Sequence, residues 1–325
     1  MIVESKFSPT WWLSNPHLQT ILASKVFSPA ANPTRSERIE HPDGDFLDIN
    51  VSLKEQGDIV AIFHGLAGCV DSSYVQGAFA SLEAIGFRPV LMHWRGCSGE
   101  PNRRVHSYHS GASEDIEWFI DYLRKRFPEN RLFALGFSLG GNALLKHLGE
   151  AGSASPLSGA MAVSAPLVLQ EGANKMNQGF ARVYQWYLLS LMRRQHESKR
   201  ARYPELDLPS AGKELNSFWR FDDAITSPTH GFAGVKDYYQ RCSARQFLPA
   251  IRVPTHLLCA KDDPFFTPDI LPDDDELADD TILELSDKGG HVGFLSKRSN
   301  TDAKSRRWLD QHIATVMANF RSAAS

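Results

Sequence analysis

Short runs of apolar residues alternate along the chain with longer segments in which apolar residues recur at helical spacing. Continuous apolar runs of four to six residues are typical of strands that are buried on both faces. The alternation therefore predicts an α/β protein, in which helices cover both faces of a mostly parallel central sheet. Six runs have this character: Ile59 to Phe63, Pro89 to His93, Leu132 to Phe137, Gly159 to Ser164, Thr255 to Cys259 and Ile282 to Leu285.

Helical periodicity is found between these strands. The clearest helix begins with acidic residues and ends with Arg124 to Arg126, the charge order that the helix dipole favours. Ahead of the strands, the turn residues Pro42 to Asp45 predict an antiparallel hairpin between Arg38 to Glu40 and Phe46 to Val51. The predicted helices cover Tyr74 to Ile85, Ser113 to Arg126, Leu139 to Leu148 and Ala303 to Phe320.

Residues 167–237 interrupt the alternation, because they are rich in Tyr, Trp, Met and Arg and have no strand periodicity. We expect them to form a helical cap, inserted between two strands and lying over one edge of the sheet. The core then consists of residues 1–166, with an N-terminal arm at 1–35, and residues 238–325. Within the arm, Trp11 and Trp12 are expected to pack against the core, since tryptophan is mostly buried.

The composition argues against a nucleic-acid-binding protein and against a membrane-spanning one. A formal net charge of -3 over 325 residues gives no electrostatic footprint for nucleic acid. No stretch approaches the roughly 18 apolar residues that cross a bilayer, and the residues from Met1 to Lys6 lack the features of a signal peptide. We therefore expect a soluble, cytoplasmic protein without an integral membrane segment. The sequence does not indicate an oligomeric state.

The candidate nucleophile is Ser138, within Gly136-Phe137-Ser138-Leu139-Gly140. In the Gly-x-Ser-x-Gly elbow a serine occupies a sharp turn between a strand and a helix, and glycines leave room for that turn. Here a predicted strand ends at Phe137 and a predicted helix begins at Leu139, so the serine lies at the required junction. The alternative is a serine that merely caps a helix.

A serine nucleophile needs a base, and the base needs an acid that orients it. His291 is the preferred base, because it lies in a glycine-bracketed loop after the last strand; an ordinary surface histidine is the alternative. Asp262 and Asp263 both follow the preceding strand. We favour Asp263 because Pro264 fixes the turn directly after it, while Asp262 is suited to bonding the turn backbone.

An oxyanion needs two backbone donors, which we assign to Leu139 and to Leu66 in the segment His64-Gly65-Leu66-Ala67-Gly68. His64 and Gly65 are placed at the substrate-binding edge, where His64 is expected to orient the loop without transferring protons. Tyr108 and His109, on a later loop at the same edge, are expected to reach the rim of the pocket.

With these motifs in place, the chain resembles the bacterial YheT-like branch of the α/β hydrolases, which is related to plant embryogenesis-associated proteins and ABHD-type lipases. The resemblance implies a triad of Ser138, Asp263 and His291 and activity on carboxylic esters, commonly of short acyl chains. Related eukaryotic proteins act on lipids or form ethyl esters by acyl transfer, and often carry a membrane anchor that is not expected here. The segments that carry the resemblance are Trp12 to Thr20, His64 to Gly68, Arg95 to Asn102, Tyr108 to Gly111, Gly136 to Gly141, Phe221 to Asp223, Gly231-Phe232, Tyr238-Tyr239, Asp262 to Pro264 and Gly289 to His291.

These observations predict a serine esterase that acts on a small-molecule ester of short to medium acyl length and needs no metal or organic cofactor. One alternative is an acyltransferase that passes the acyl group to an alcohol; another is a non-catalytic protein that uses the fold to bind a ligand. In the cap, an apolar stripe predicts either an acyl pocket or a lid helix packed on the core. Its members are Trp186, Tyr187, Leu188, Leu189 and Leu191.

Overall fold

The computed structural model describes residues 1–296 and 306–323. Within these ranges nine strands form one sheet. The strands are β1 (Ile2–Glu4), β2 (Thr34–Glu40), β3 (Phe46–Ser52), β4 (Ile59–Phe63), β5 (Arg88–Met92), β6 (Leu132–Phe137), β7 (Gly159–Val163), β8 (Thr255–Ala260) and β9 (Thr281–Ser286). Their order across the sheet is β1-β9-β8-β7-β6-β4-β5-β3-β2.

The sheet is mostly parallel, as the alternation of apolar runs predicts. All six predicted strands are present, from β4 to β9, and each lies within one residue of its predicted ends. They run parallel to one another as a continuous block. The predicted hairpin is also present, since β2 and β3 pair antiparallel from Thr34 with Ser52 to Glu40 with Phe46. It joins the sheet through antiparallel pairing of β3 with β5.

Helices lie on both faces of the sheet. Along β4, Ala61 and Phe63 pack on one face with the helices at 113–126 and 139–151, while Val60 and Ile62 pack on the other face with the helices at 73–84 and 308–323. The predicted helix Ala303 to Phe320 begins at Trp308 in the structure, and its residues 303–305 lie outside the described residues. The described α-helices are α1 (Pro16–Lys25), α2 (Ser73–Ala84), α3 (Ser113–Arg126), α4 (Leu139–Ala151), α5 (Leu169–Met176), α6 (Ala181–Arg202), α7 (Phe218–Phe221), α8 (Ser227–Thr229), α9 (Val235–Cys242) and α10 (Trp308–Ala323).

The N-terminal arm differs from its prediction in two ways. Its first residues form β1, which pairs parallel with β9 and adds a strand to the edge of the sheet. A three-residue strand with exposed ends gives no periodic signal, so the sequence pattern missed it. The expectation of buried tryptophans is wrong for both, since Trp11 is 88% and Trp12 38% exposed, whereas the neighbouring Leu13 is buried.

A helical insertion lies between β7 and β8, where the cap is predicted, and contains α5 to α9. The predicted cap boundary at residue 237 falls inside α9, because that helix continues to Cys242. Tyr238 and Tyr239 pack in one apolar cluster with Leu169 and Ala173 of α5, which explains why the helix is not divided there. No helix in the described part of the chain combines the length and apolar character needed to cross a bilayer.

A buried cluster of charged side chains connects the turn between β2 and β3 to α3. The Arg95 guanidinium, almost inaccessible to solvent, donates to Asp115 at 2.7 and 2.9 Å. It also contacts Asp43 at 2.8 Å and Asp45 at 3.1 Å. Because Asp45 and Asp115 are themselves buried, their charges depend on this guanidinium for compensation.

Replacing Arg95 should therefore destabilise the fold. We expect Arg95→Leu to lower the free energy of unfolding by about 3–5 kcal/mol, because buried carboxylates lose their partner. The control is Arg124→Leu, whose exposed contact with Asp121 at 3.9 Å should be worth only about 0–1 kcal/mol. Urea denaturation of both variants measures the two losses, and equal losses would contradict the role given to Arg95.

Candidate active site

The residues predicted to carry chemistry follow the carboxyl ends of neighbouring parallel strands. Ser138 follows β6, Asp263 follows β8 and His291 follows β9. Such ends meet at one edge of the sheet, which is where open α/β proteins place their ligand sites. The three side chains form a connected chain of polar contacts. Ser138 Oγ lies 2.9 Å from His291 Nε2, and His291 Nδ1 lies 2.8 Å from Asp263 Oδ2.

Ser138 occupies a strained turn. Its backbone has φ 51° and ψ -118°, which a non-glycine residue adopts only when its surroundings enforce it. A Cβ at Gly136 would lie 2.6 Å from the Gly140 carbonyl oxygen, and one at Gly140 would lie 2.3 Å from the Phe63 carbonyl oxygen. The two glycines of the motif therefore allow α4 to pack directly against the strands that flank the serine.

The structure distinguishes the two neighbouring aspartates. Asp263 is buried and, besides contacting His291, accepts a hydrogen bond from the Phe265 amide at 2.8 Å. Asp262 Oδ1 instead accepts from the Gly290 amide at 3.0 Å. Burial raises the pKa of Asp262. The carboxylate of Asp262 thus bonds the backbone of the histidine loop, while that of Asp263 contacts the imidazole.

The N-terminal arm holds the loop that carries His291. Thr20 Oγ1 accepts a hydrogen bond from the His291 amide at 2.9 Å. The side chain of Gln19 donates to the Leu295 carbonyl at 3.0 Å and accepts from its amide at 2.6 Å. A Cβ at Gly290 would lie 2.5 Å from the Pro16 carbonyl oxygen, so the arm and the loop are in close contact. The tryptophan-containing segment therefore supports the candidate base.

Sequence reasoning missed Thr20 and Gln19 as site residues. The sequence signals only a helix start, since Asn15 caps α1 and Pro16 occupies its first turn. It does not show that the helix contacts a loop some 270 residues away. Phe265 was also missed, although it lies two residues after Asp263. Its ring stacks on His291 with a centroid separation of 3.8 Å and an interplanar angle of 7°.

Backbone amides of the segment from His64 to Gly68 lie beside the serine. The Gly65 amide donates to Tyr74 Oη at 3.0 Å, and the Ala67 amide donates to Tyr108 Oη at 2.9 Å. Between them, the Leu66 amide has no acceptor among the described residues. The same holds for Leu139, whose amide belongs to the first turn of α4. Both residues line the same cavity as Ser138.

His64 is not brought into that cavity. Its ring is completely buried, with Nδ1 2.7 Å from the Gly65 carbonyl oxygen and Nε2 accepting from the Trp94 amide at 3.2 Å. Burial lowers its pKa to about 3. His64 therefore does not line the cavity, and its contacts are those expected of a loop-orienting residue. Gly65 lies outside the cavity lining but beside the serine, since a Cβ there would be 3.3 Å from Ser138 Cβ.

Tyr108 and His109 both line the cavity, whose volume is about 180 Å³. Burial raises the pKa of Tyr108 well above its usual value, so the phenol is neutral. Burial is the main cause that lowers the pKa of His109 well below its usual value, and the neighbouring His230 and Lys146 lower it further. The Gly111 amide lies 3.2 Å from His109 Nδ1 and donates to it. Both side chains that line the cavity here are therefore neutral.

Side chains of the helical insertion form the apolar wall of the cavity. Leu188 of the predicted apolar stripe lines the cavity, and Leu189 is buried inside the cap. Trp186 and Tyr187 do neither, because they face outwards and are 69% and 44% exposed. Further apolar lining comes from Leu169, Ala173, Met176, Met192 and Phe218.

Lys199, on α6 of the helical insertion, contacts residues 102–107 after β5 and lines the cavity. Its buried ammonium donates to Asn102 Oδ1, Ser107 Oγ and the carbonyls of Val105 and His106, at 2.9 to 3.0 Å. Burial lowers its pKa to about 7. Sequence reasoning missed this contact.

One group of described residues has the side chains of a metal site. His256, Glu284 and His312 bring their donor atoms within 4.8 Å of one another. Glu284 Oε2 lies 2.8 Å from Nε2 of each histidine. His256 is the second residue of β8, so the group lies towards the amino end of the strand, whereas Ser138, Asp263 and His291 follow the carboxyl ends. The candidate active site therefore takes none of its groups from this cluster.

Comparison with known proteins agrees with this architecture. The sequence pattern of the alpha/beta hydrolase fold matches residues 58–298. The YheT protein of Escherichia coli (strain K12) is 38% identical over 328 residues, which cover 99% of this chain and 95% of that protein. The monoacylglycerol lipase of Saccharomyces cerevisiae is 28% identical over 84% of this chain, and the match spans 62% of the lipase's own length. An esterase structure from Pyrococcus furiosus aligns with a TM-score of 0.58 and 14% identity, covering 90% of this chain and 91% of that one, which shows a shared fold.

The contact between the arm and the histidine loop predicts a measurable effect. In Thr20→Val the His291 amide loses its acceptor, so we expect kcat on an ester to fall about tenfold through misplacement of the imidazole. KM should change little, because Thr20 does not line the cavity. Steady-state kinetics separates the two constants.

The matched control is Thr315→Val, which removes a hydroxyl that bonds only the carbonyl one turn earlier, on the solvent-exposed side of α10. Its kcat should equal that of the unmodified protein. If Thr20→Val kept full kcat, or if both variants lost it alike, the positioning role of the arm would be wrong.

Proposed function

Since the chain belongs to the α/β-hydrolase family, we propose that it is a serine hydrolase that cleaves carboxylic esters through an acyl-serine intermediate. The observation that carries the proposal is the continuous set of contacts from Ser138 Oγ to His291 and from His291 to Asp263. This is the arrangement in which an imidazole takes the serine proton and a carboxylate stabilises the imidazolium that results. Relatives named as lipases and phospholipases agree with ester substrates.

In the acylation step, Ser138 Oγ attacks the ester carbonyl carbon while His291 Nε2 takes the hydroxyl proton. The carbonyl oxygen becomes an oxyanion, which we assign to the amides of Leu66 and Leu139, because these donors have no other acceptor among the described residues. Collapse of the intermediate breaks the bond between the carbonyl carbon and the alcohol oxygen. The imidazolium gives its proton to the departing alcohol.

Water completes the cycle. His291 takes a proton from a water molecule, whose oxygen attacks the acyl carbon, and the tetrahedral intermediate collapses by returning the proton to Ser138 Oγ. The products are a carboxylic acid and the free serine. His291 remains positioned through both half-reactions, because Asp263, Thr20 and the stacked ring of Phe265 each contact it.

The cavity supports a short- to medium-chain acyl group. Its wall near the serine is formed by aliphatic and aromatic side chains of the cap, including Leu169, Met176 and Leu188. Tyr108 and His109 line the same cavity, and we propose that the imidazole of His109 bonds an ester oxygen. The proposal includes the division of the chain into two parts. Residues 167–237 form a cap that covers the site, and residues 1–166 and 238–325 form the core.

The decisive experiment follows hydrolysis of p-nitrophenyl esters of increasing acyl length. We expect Ser138→Ala and His291→Ala to lower kcat by at least about 10³-fold, and Asp263→Asn by about 10²- to 10⁴-fold. Asp262→Asn is the matched control: an asparagine oxygen can still accept from the Gly290 amide, so most turnover should remain. Circular dichroism checks that each variant is folded.

Two outcomes would reject parts of the proposal. Absence of turnover in the folded unmodified protein, or full turnover in Ser138→Ala, would reject the esterase and favour a non-catalytic ligand-binding protein. Loss of activity in Asp262→Asn with retention in Asp263→Asn would reject the assignment of the acid. Analysis of the products with added ethanol distinguishes hydrolysis from acyl transfer, since transfer yields the ethyl ester.

The Tyr108 hydroxyl provides a separate test of the oxyanion site. In Tyr108→Phe the Ala67 amide loses its acceptor, so the loop that carries Leu66 loses one anchor. We expect kcat to fall about tenfold, because displaced oxyanion donors bind the transition state less well. Tyr122→Phe is the control, since that hydroxyl bonds Arg126 on α3, outside the cavity lining. Unchanged kinetics in Tyr108→Phe would contradict this account of the loop.

A further inference from the structure

Two adjacent helices expose large apolar side chains to solvent. On α1, Leu18 and Ile21 are one helical turn apart, and Lys25 follows on the same side. On α6, Val183, Trp186 and Tyr187 share one face by their spacing, with Phe180 directly before the helix. The exposed fractions are 69% for Trp186, 51% for Val183, 48% for Phe180, 44% for Tyr187, 41% for Leu18 and 37% for Ile21.

These side chains belong to one surface, which we call the α1–α6 face. Lys25 Nζ lies over the ring of Tyr187 at 5.8 Å. His17 of α1 contacts both Phe180, at a centroid separation of 4.5 Å, and Tyr184 Oη, at 3.2 Å. The two helices therefore meet along this surface. Isolated exposed apolar residues are ordinary in proteins, but a contiguous patch of this kind marks a binding surface.

The two segments that form the face carry basic but no acidic side chains. None of the 38 Asp and Glu residues of the chain falls within residues 5–36 or 172–196, the segments that contain α1 and most of α6. The same segments contain Lys25, Lys175, Arg182 and Arg194. Asp262, the acid that acts on His17, is largely buried and bonds the Gly290 amide. The face is thus locally cationic on a chain whose net charge is -3.

A groove beside Trp186 adds further cations. Arg182, Arg193 and Lys213 line it together with Val183 and Trp186, and its lining contains no acidic side chain among the described residues. Arg193 donates to the Leu215 carbonyl, but its Nε is buried without an acceptor in the described structure. Three cationic side chains beside an exposed tryptophan suit a phosphate or carboxylate group.

We propose that the α1–α6 face docks on the surface of a lipid bilayer that contains anionic lipids. Trp and Tyr side chains prefer the interface between headgroups and acyl chains, and flanking Lys and Arg residues bind anionic headgroups. A second copy of this chain suits the face less well. A two-fold contact would bury Lys25 and Arg182 of both copies in an interface whose α1 and α6 segments carry no acidic residue to pair with them.

Docking would place lipid next to the candidate site. Tyr184 lies between the face and the site: it contacts Phe180 at 5.6 Å and Phe265 at 5.0 Å. Phe265 in turn stacks on His291. The face therefore has a role in supplying water-insoluble esters, and this role rests on the proposed function, whereas docking itself requires no catalysis.

The test uses the full chain and vesicles of phosphatidylcholine, with or without phosphatidylglycerol. In co-sedimentation we expect binding to the anionic vesicles, weaker binding at high salt, and little binding to phosphatidylcholine alone. The variants Trp186→Ala/Tyr187→Ala and Lys25→Glu/Arg182→Glu should each lower the partition coefficient by at least about tenfold. The matched control is Leu53→Ala/Lys54→Glu, which changes an exposed apolar residue and an exposed lysine at the end of β3 and should bind as the unmodified chain does.

Separate measurements keep this proposal distinct from the proposed function. Vesicle binding is repeated with Ser138→Ala, which should bind normally, and turnover of a water-soluble p-nitrophenyl ester should be unchanged in Trp186→Ala/Tyr187→Ala. The docking proposal is overturned if the unmodified chain does not bind anionic vesicles or if the face variants bind as well as the control. It is equally overturned if sedimentation velocity shows that the face variants dissociate an oligomer that does not bind vesicles.

Discussion

The conformation of Ser138 is the constraint on which the rest of the site depends. A backbone at φ 51° and ψ -118° costs about 1–3 kcal/mol and persists only where packing enforces it. Here the enforcement comes from α4, which approaches β4 so closely that Gly140 has no room for a Cβ beside the Phe63 carbonyl. Since the loop with the Leu66 amide begins directly after Phe63, the same approach brings that loop beside the serine.

Much of this arrangement could be predicted from the sequence, because it depends on local patterns. Buried parallel strands are continuous apolar runs, so β6 and β8 are identifiable from the chain alone. The topology of parallel sheets then places their carboxyl ends together, which makes Ser138, Asp263 and His291 candidates before any distance is known. Gly136 and Gly140 also point to Ser138, since a tight turn at the serine leaves no space for side chains at these two positions.

Contacts between distant segments and the orientation of surface helices could not be predicted in this way. The sequence of α6 shows an apolar stripe, but not that Leu188 faces the cavity while Trp186 faces outwards. His64 is polar and follows a strand at the correct edge, yet its ring is buried. Its two nitrogens contact the Gly65 carbonyl and the Trp94 amide, which are not visible as partners from the sequence. The prediction that Trp11 is buried was wrong because it was taken from the average burial of tryptophan. That average does not show that Leu13, two residues later, is the side chain that packs in the core.

The link between the arm and the histidine loop has a consequence for biosynthesis. Gln19 contacts Leu295 and Thr20 contacts His291, at separations of 276 and 271 residues. A ribosome releases the N-terminal part of a chain first, and domains begin to fold as they emerge. The arm therefore emerges well before the loop that it contacts has been synthesised. Because Asp263 and His291 are synthesised after Ser138, the three side chains can come together only after residue 291 has left the ribosome.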